Sequence, residues 1–143
     1  MCPIEKRLYM DHIDSKYKYS KLTGLIIGAS FEIHNELGAG LPEKIYQRCL
    51  EIELHSKGLS LNREFTVDVH FKEMTVGKRR LDFVIEDKVV VELIARHFLH
   101  KTDFIQLKNY LKLSKKKIGL LINFGESSLN YRRCILTQNN LRD

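Results

Sequence analysis

No apolar run in this 143-residue chain approaches the roughly 20 residues that a bilayer-spanning helix requires, so no membrane-embedded segment is expected. The first twenty residues are polar and mixed in charge, without the apolar core of a secretory signal, which leaves the cytoplasm as the expected location. Cysteine is scarce. Cys2, Cys49 and Cys134 are odd in number, far apart and never in a C-x-x-C pair, which argues against a disulfide framework or a zinc knuckle. All three are read as reduced and structural. Internal repeats and low-complexity segments are also lacking, so the expected organisation is a polar arm over residues 1–20, one domain over 21–138 and a tail over 139–143. With 43% hydrophobic residues, a chain of this length can bury a proper core.

What the chain has in excess is positive charge. Lys and Arg outnumber Asp and Glu by 24 to 18, a net +6, which favours a polyanionic partner through long-range attraction and counterion release. By itself the excess is weak evidence, since many basic proteins bind no nucleic acid.

Leu22, Leu25, Ile26, Ala29, Ile33 and Leu37 follow helical spacing and predict a helix over 21–37, stopped by Gly38-Ala39-Gly40. Pro42 suits the first position of a second helix ending near Lys57 and Gly58, with Ile45, Cys49, Ile52 and Leu54 as its buried side. Phe65 to Phe71 alternates as a half-buried strand, and Gly77 reads as a turn. Two nearly continuous apolar strands follow over 79–86 and 88–95, as expected for central strands covered on both faces. A helix over 102–113 follows, with Phe104, Leu107 and Leu111 as its apolar side, Ile105 as a further candidate for it, and Thr102 or Asp103 as its cap. Ile118–Phe124 is a further buried strand, and Arg132–Thr137 a final edge strand.

The stretch Leu81–Ala95 organises the rest. Its two apolar runs flank the turn-like Glu86-Asp87-Lys88, and each carries one carboxylate, Asp82 and Glu92. A hairpin would bring both acids to one end of the sheet. Burying an unpaired carboxylate costs several kcal/mol, on the order of what forces it to take a proton, so a compensating cation is expected and a metal is the obvious candidate. Glu43 falls in the first turn of the second helix, where an acid is also favoured simply by the helix dipole.

Several motifs then line up in order: Gly40-Leu41-Pro42-Glu43-Lys44-Ile45-Tyr46, preceded by Ile33-His34-Asn35-Glu36-Leu37-Gly38, then Asp82, Glu92-Leu93, Gln106 with Tyr110, and Gly119-Leu120-Leu121-Ile122-Asn123-Phe124. Over roughly Leu22 to Ile135 the chain resembles the GxxExxY protein family, a branch of the PD-(D/E)XK nuclease superfamily. The resemblance implies an α/β fold with a restriction-endonuclease-like αβββαβ core, a mixed sheet flanked by helices. It further implies that Asp82, Glu92 and the main-chain carbonyl of Leu93 hold Mg²⁺ or Mn²⁺, with Glu43 completing the site and Gln106 and Tyr110 as an accessory pair. The activity implied is metal-dependent hydrolysis of phosphodiester bonds in DNA or RNA, since such a cation polarises a phosphate and activates water.

One position departs from the motif. Lys is expected two residues after Glu92, on the same side of the strand, and Ile94 stands there. The missing charge is either supplied by Arg96, Lys101 or Lys108, or replaced by the metal alone, or catalysis is weak or silenced. Arg79, Arg80, Arg96, Lys101 and Lys108 are the candidate nucleic-acid contacts; Arg79-Arg80, like Lys115–Lys117 and Arg132-Arg133, reads equally well as solvated turns or edges. His97 and His100 form an H-x-x-H pair without a third ligand and read as loop residues, and His34 as a packing residue. The alternatives to a nuclease are an inactive nucleic-acid-binding module, or a protein-interaction or dimerisation domain. Homo-oligomerisation is left open.

Overall fold

The computed structural model describes residues 19–137; the polar arm up to residue 18, Cys2 and the tail over 139–143 lie outside the described residues. Helix α1 (Ser20–Leu37) buries Ile26, Ala29 and Ile33, as the spacing predicts. Gly38 and Gly40 both adopt positive φ, where a side chain would be strained, and so turn the chain into α2 (Glu43–Ser56). Pro42 is the residue just before the helix and not its first member.

The expected buried side of α2 needs correcting. Tyr46, Gln47, Leu50 and Leu54 face inward, while Ile45 and Ile52 are exposed and Cys49 is half-buried. The reason is Tyr46, whose ring stacks on Phe124 with centroids 4.6 Å apart, and whose hydroxyl donates to the Gly38 carbonyl (2.6 Å). Docking that aromatic rotates the inward stripe by one residue from the aliphatic one.

Five strands form one mixed sheet in the order β1 (Leu61–Phe71), β2 (Met74–Ile85), β3 (Val89–Ile94), β4 (Ile118–Asn123) and β5 (Asn130–Ile135). Only β3 and β4 are parallel, and α3 (Lys101–Ser114) makes the crossover between them. Helices α1 and α2 cover one face of the sheet, packing on Phe83, Val91, Leu93 and Leu120; α3 covers the other, packing on Val84, Val90 and Leu121. The fold is the mixed, helix-flanked α/β architecture expected. Cys49 and Cys134 are free thiols, and no helix among the described residues is long and apolar enough to cross a membrane.

The β1–β2 hairpin is longer than the sequence pattern suggests, and Gly77 is not its turn. Lys72 and Glu73, both at positive φ, make the turn, while Gly77 lies in β2 opposite Val69. Beside it the pairing skips Val76, a β-bulge in β2. The cap of α3 also differs from expectation. His100 precedes the helix, and Asp103 reaches back from the third helical position to accept the His100 N–H (2.8 Å).

Candidate active site

The ladder between β2 and β3 ends at the pair Phe83–Val91. Past it the two carboxylates replace the missing backbone bonds. The Asp82 N–H donates to Glu92 Oε1 (2.9 Å), and the Leu93 N–H donates to Asp82 Oδ2 (2.9 Å). The strands therefore part while their polar groups stay paired, and an acid stands on each side of the gap. Because the N–H and C=O of one strand residue face the same neighbour, the Leu93 carbonyl is directed to this gap too.

The gap coincides with a change of face in the hairpin. Leu61 and Phe83 pack toward α1 and α2, whereas Phe65, Val67 and Leu81 pack toward α3, although each set keeps the same alternation along its strand. The chain rotates between them at Glu64, a non-glycine residue with φ 56°, opposite Asp82. Such backbone strain is held only where the surroundings fix it.

From the other side, the start of α2 brings Glu43 and Gln47, four residues apart on one helix face. Gln47 is buried and its amide is a junction. It donates to Glu43 Oε1 (3.4 Å) and to the Asp82 carboxylate, and its carbonyl accepts from Arg63 (3.4 Å). Neither Gln47 nor Arg63 stood out in the sequence. The spacing of Gln47 from Glu43 was the available signal; Arg63 had none, because its place depends on how β1 pairs. Tyr46 completes the motif's logic: its hydroxyl also accepts the Leu41 N–H (3.2 Å), pinning the loop that leads to Glu43.

The acids hold protons tightly. Glu92 is 6% exposed, and burial, followed by the Asp82 charge, raises its pKa to about 9. Asp82 is also raised by burial, against the pull of the Leu93 N–H, the Gln47 amide and the Arg63 charge. Glu43, still open to water, is raised to about 7 by partial burial and by Asp82, with Arg96 working the other way.

The expected substitutes for the missing lysine are placed elsewhere. Arg96 is bound to Asp103 and to His100 Nδ1 at the start of α3, so it reaches Glu43 by charge alone. Lys101 is exposed in the first turn of α3, and Lys108 acts on Cys134 of β5. Arg63 is the cation that acts on Asp82, and Ile94 packs half-buried under α3. Of the candidate contacts, Arg80 pairs with Glu64 (3.8 Å), while Arg79 lines a cleft with Gln106 and Tyr110. Lys116 pairs with Asp87 and Arg133 donates to Thr23. His97 is exposed and His34 packs on Phe124, its Nε2 2.9 Å from the Glu126 carbonyl.

The donors at the gap are hard oxygens, which suits Mg²⁺ or Mn²⁺. Among the described residues no three His, Cys, Asp or Glu side chains converge to hold a metal ion, so a cation here would rest on Asp82, Glu92, the Leu93 carbonyl and water, with Glu43 nearby in charge.

A family model described as the PD-(D/E)XK nuclease superfamily matches residues 20–134, from α1 to β5. No curated protein matches the chain in sequence. A crystal structure of a protein named SSO0001 is similar in fold, with a TM-score of 0.51 and 17% identity, over 96% of this chain. The chain spans 65% of the length of that structure.

Proposed function

The chain belongs to the PD-(D/E)XK nuclease superfamily, and from that premise we propose that it hydrolyses phosphodiester bonds of nucleic acid with Mg²⁺ or Mn²⁺ at Asp82, Glu92 and the Leu93 carbonyl. The observation that carries this reading is the Asp82–Glu92 pair at the strand split, Glu92 buried and Asp82 partly so, two acids whose charge a divalent cation would relieve. Such a cation polarises a bound phosphate and lowers the pKa of a coordinated water. Gln47 holds the Glu43 and Asp82 carboxylates in place, Arg63 offsets the Asp82 charge, and Glu43 with a pKa near 7 is suited to pass a proton near neutral pH. Membership of the GxxExxY branch is part of the same proposal, supported by Gly40 and Tyr46, which form the α1–α2 corner, and by Glu43, which the corner brings within reach of the Asp82 charge.

A second reading, a binding module without catalysis, is favoured by one observation: Ile94 puts an apolar side chain where an ammonium would orient water. Cleavage of labelled single-stranded DNA, duplex DNA and RNA with each metal separates the two. Asp82→Ala and Glu92→Ala should lower the rate by on the order of 10²–10⁴-fold with the circular dichroism spectrum unchanged. Cleavage that survives both changes would sink the site assignment. Cleavage by Ile94→Lys alone would establish the second reading for the native chain.

A further inference from the structure

We propose that the cleft between α3 and the β1–β2 hairpin seats unpaired nucleobases, so that the polymer presented to the acidic site is single-stranded. The identity of the site as a nuclease rests on the reading above, whereas the binding itself does not. The cleft has a volume of about 570 Å³; Arg79 and Lys112 line it and no acidic side chain does. That lies within the range of small-ligand sites, room enough for an unstacked base. Gln106 and Asn109 supply amides able to meet base edges or phosphate oxygens.

Beside these polar groups the lining has an apolar part: Val69, Leu113, Ile105, which is 49% exposed, and the aromatic edge of the largely buried Tyr110. The rotation at Glu64 turns the alternating series Phe65, Val67, Val69 toward α3, and Phe71, two residues beyond Val69, is the next member of that series at the end of β1. There Phe71 and its cross-strand partner Met74 are 63% and 68% exposed. Exposed apolar surface contiguous with a basic cleft marks a binding face. Aromatic platforms interleaved with cations bind single strands, because every unpaired base offers a π-face and a duplex hides them.

Tyr110 joins this face to the acids: it packs in one cluster with Leu81, next to Asp82, and Ile94, two residues after Glu92, and the charges of Glu92 and Asp82 act on it. A strand with bases on Phe71 and in the cleft therefore runs toward the gap between β2 and β3.

The test is fluorescence anisotropy of a labelled mixed-sequence single-stranded oligodeoxynucleotide against the same sequence annealed as a duplex, using the full chain in EDTA so that cleavage is excluded. We expect the single strand to bind on the order of ten-fold tighter, and Phe71→Ala to remove a similar factor while Phe71→Tyr retains it. Phe71 is exposed, so its removal leaves the core intact. Arg79→Ala should flatten the salt dependence. Equal affinity for duplex, no effect of Phe71→Ala, no binding of either form, or self-association of the chain that Phe71→Ala abolishes would each overturn the proposal. Single-strand binding that depends on Phe71 in a protein that cuts nothing with Mg²⁺ or Mn²⁺ upholds the cleft and sinks the nuclease reading. Cleavage indifferent to strand state and to Phe71 does the reverse.

Discussion

At the residue scale, Asp82 and Glu92 each carry a structural bond and an electrostatic penalty at once. One oxygen of each closes the strand split; burial holds both pKa values up, and the Asp82 charge raises Glu92 further. Glu92→Gln keeps an oxygen for the Asp82 N–H and removes the charge. It should therefore raise the melting temperature in EDTA at mildly alkaline pH, by the equivalent of about 1 kcal/mol or more, while abolishing cleavage. A variant that melted lower and still cut would refute both roles. The two acids were legible in the sequence because carboxylates amid β-branched residues are conspicuous. Arg63 and Gln47 were not, since a side chain's partner across a sheet or from a neighbouring helix depends on packing and not on spacing in the chain.

At the element scale, the corner between α1 and α2 and the loop after β3 aim the site. Tyr46→Phe leaves the Gly38 carbonyl and the Leu41 N–H without their buried partner, and should cost about 1–2 kcal/mol in denaturant unfolding. If stability is unchanged, the hydroxyl does not hold this corner. Gly125 matters through close approach: a Cβ there would collide with the backbone of Ala95 and Arg96. Backbone cannot yield as a side chain can, so Gly125→Ala should destabilise by about 1–3 kcal/mol or more and displace the Arg96–Asp103 pair, seen as a shift in the pH–rate profile through Glu43. The elements themselves follow from periodicity and from glycine and proline positions, which are local. The inward stripe of α2 and the true turn of the hairpin do not, because stacking of Tyr46 on Phe124 and the cross-strand register decide them.

At the scale of the whole molecule, stability should depend on pH and on metal together. Between the ordinary carboxyl value of 4.5 and about 9, the unfolded chain has released a proton that the folded chain keeps on Glu92. Folding then takes up a proton, so this group's contribution falls as pH rises through that window. A divalent cation binds the deprotonated pair and should reverse the trend. The gain in melting temperature with Mn²⁺ over EDTA is expected to grow steadily with pH across that interval. A gain that is absent, or flat with pH, would argue against a cation at these acids. The net charge of +6 adds a whole-molecule attraction for polyanions that salt should weaken.

The amino-acid order by itself determined the element types and the approach of Asp82 to Glu92 across a hairpin, while the mixed α/β architecture was implied by the family resemblance and not by any local pattern. The element types and that approach depend on period, turn chemistry or a short hairpin, all expressed within a few residues. Only the tertiary structure decided that the strands part at that pair, that the hairpin rotates at Glu64 and Asp82, and that Arg63 approaches the acids while Arg96 turns to Asp103. Those outcomes arise from which surfaces exclude water from one another and which charges are left to share a low-dielectric space, a balance settled between segments distant in the chain.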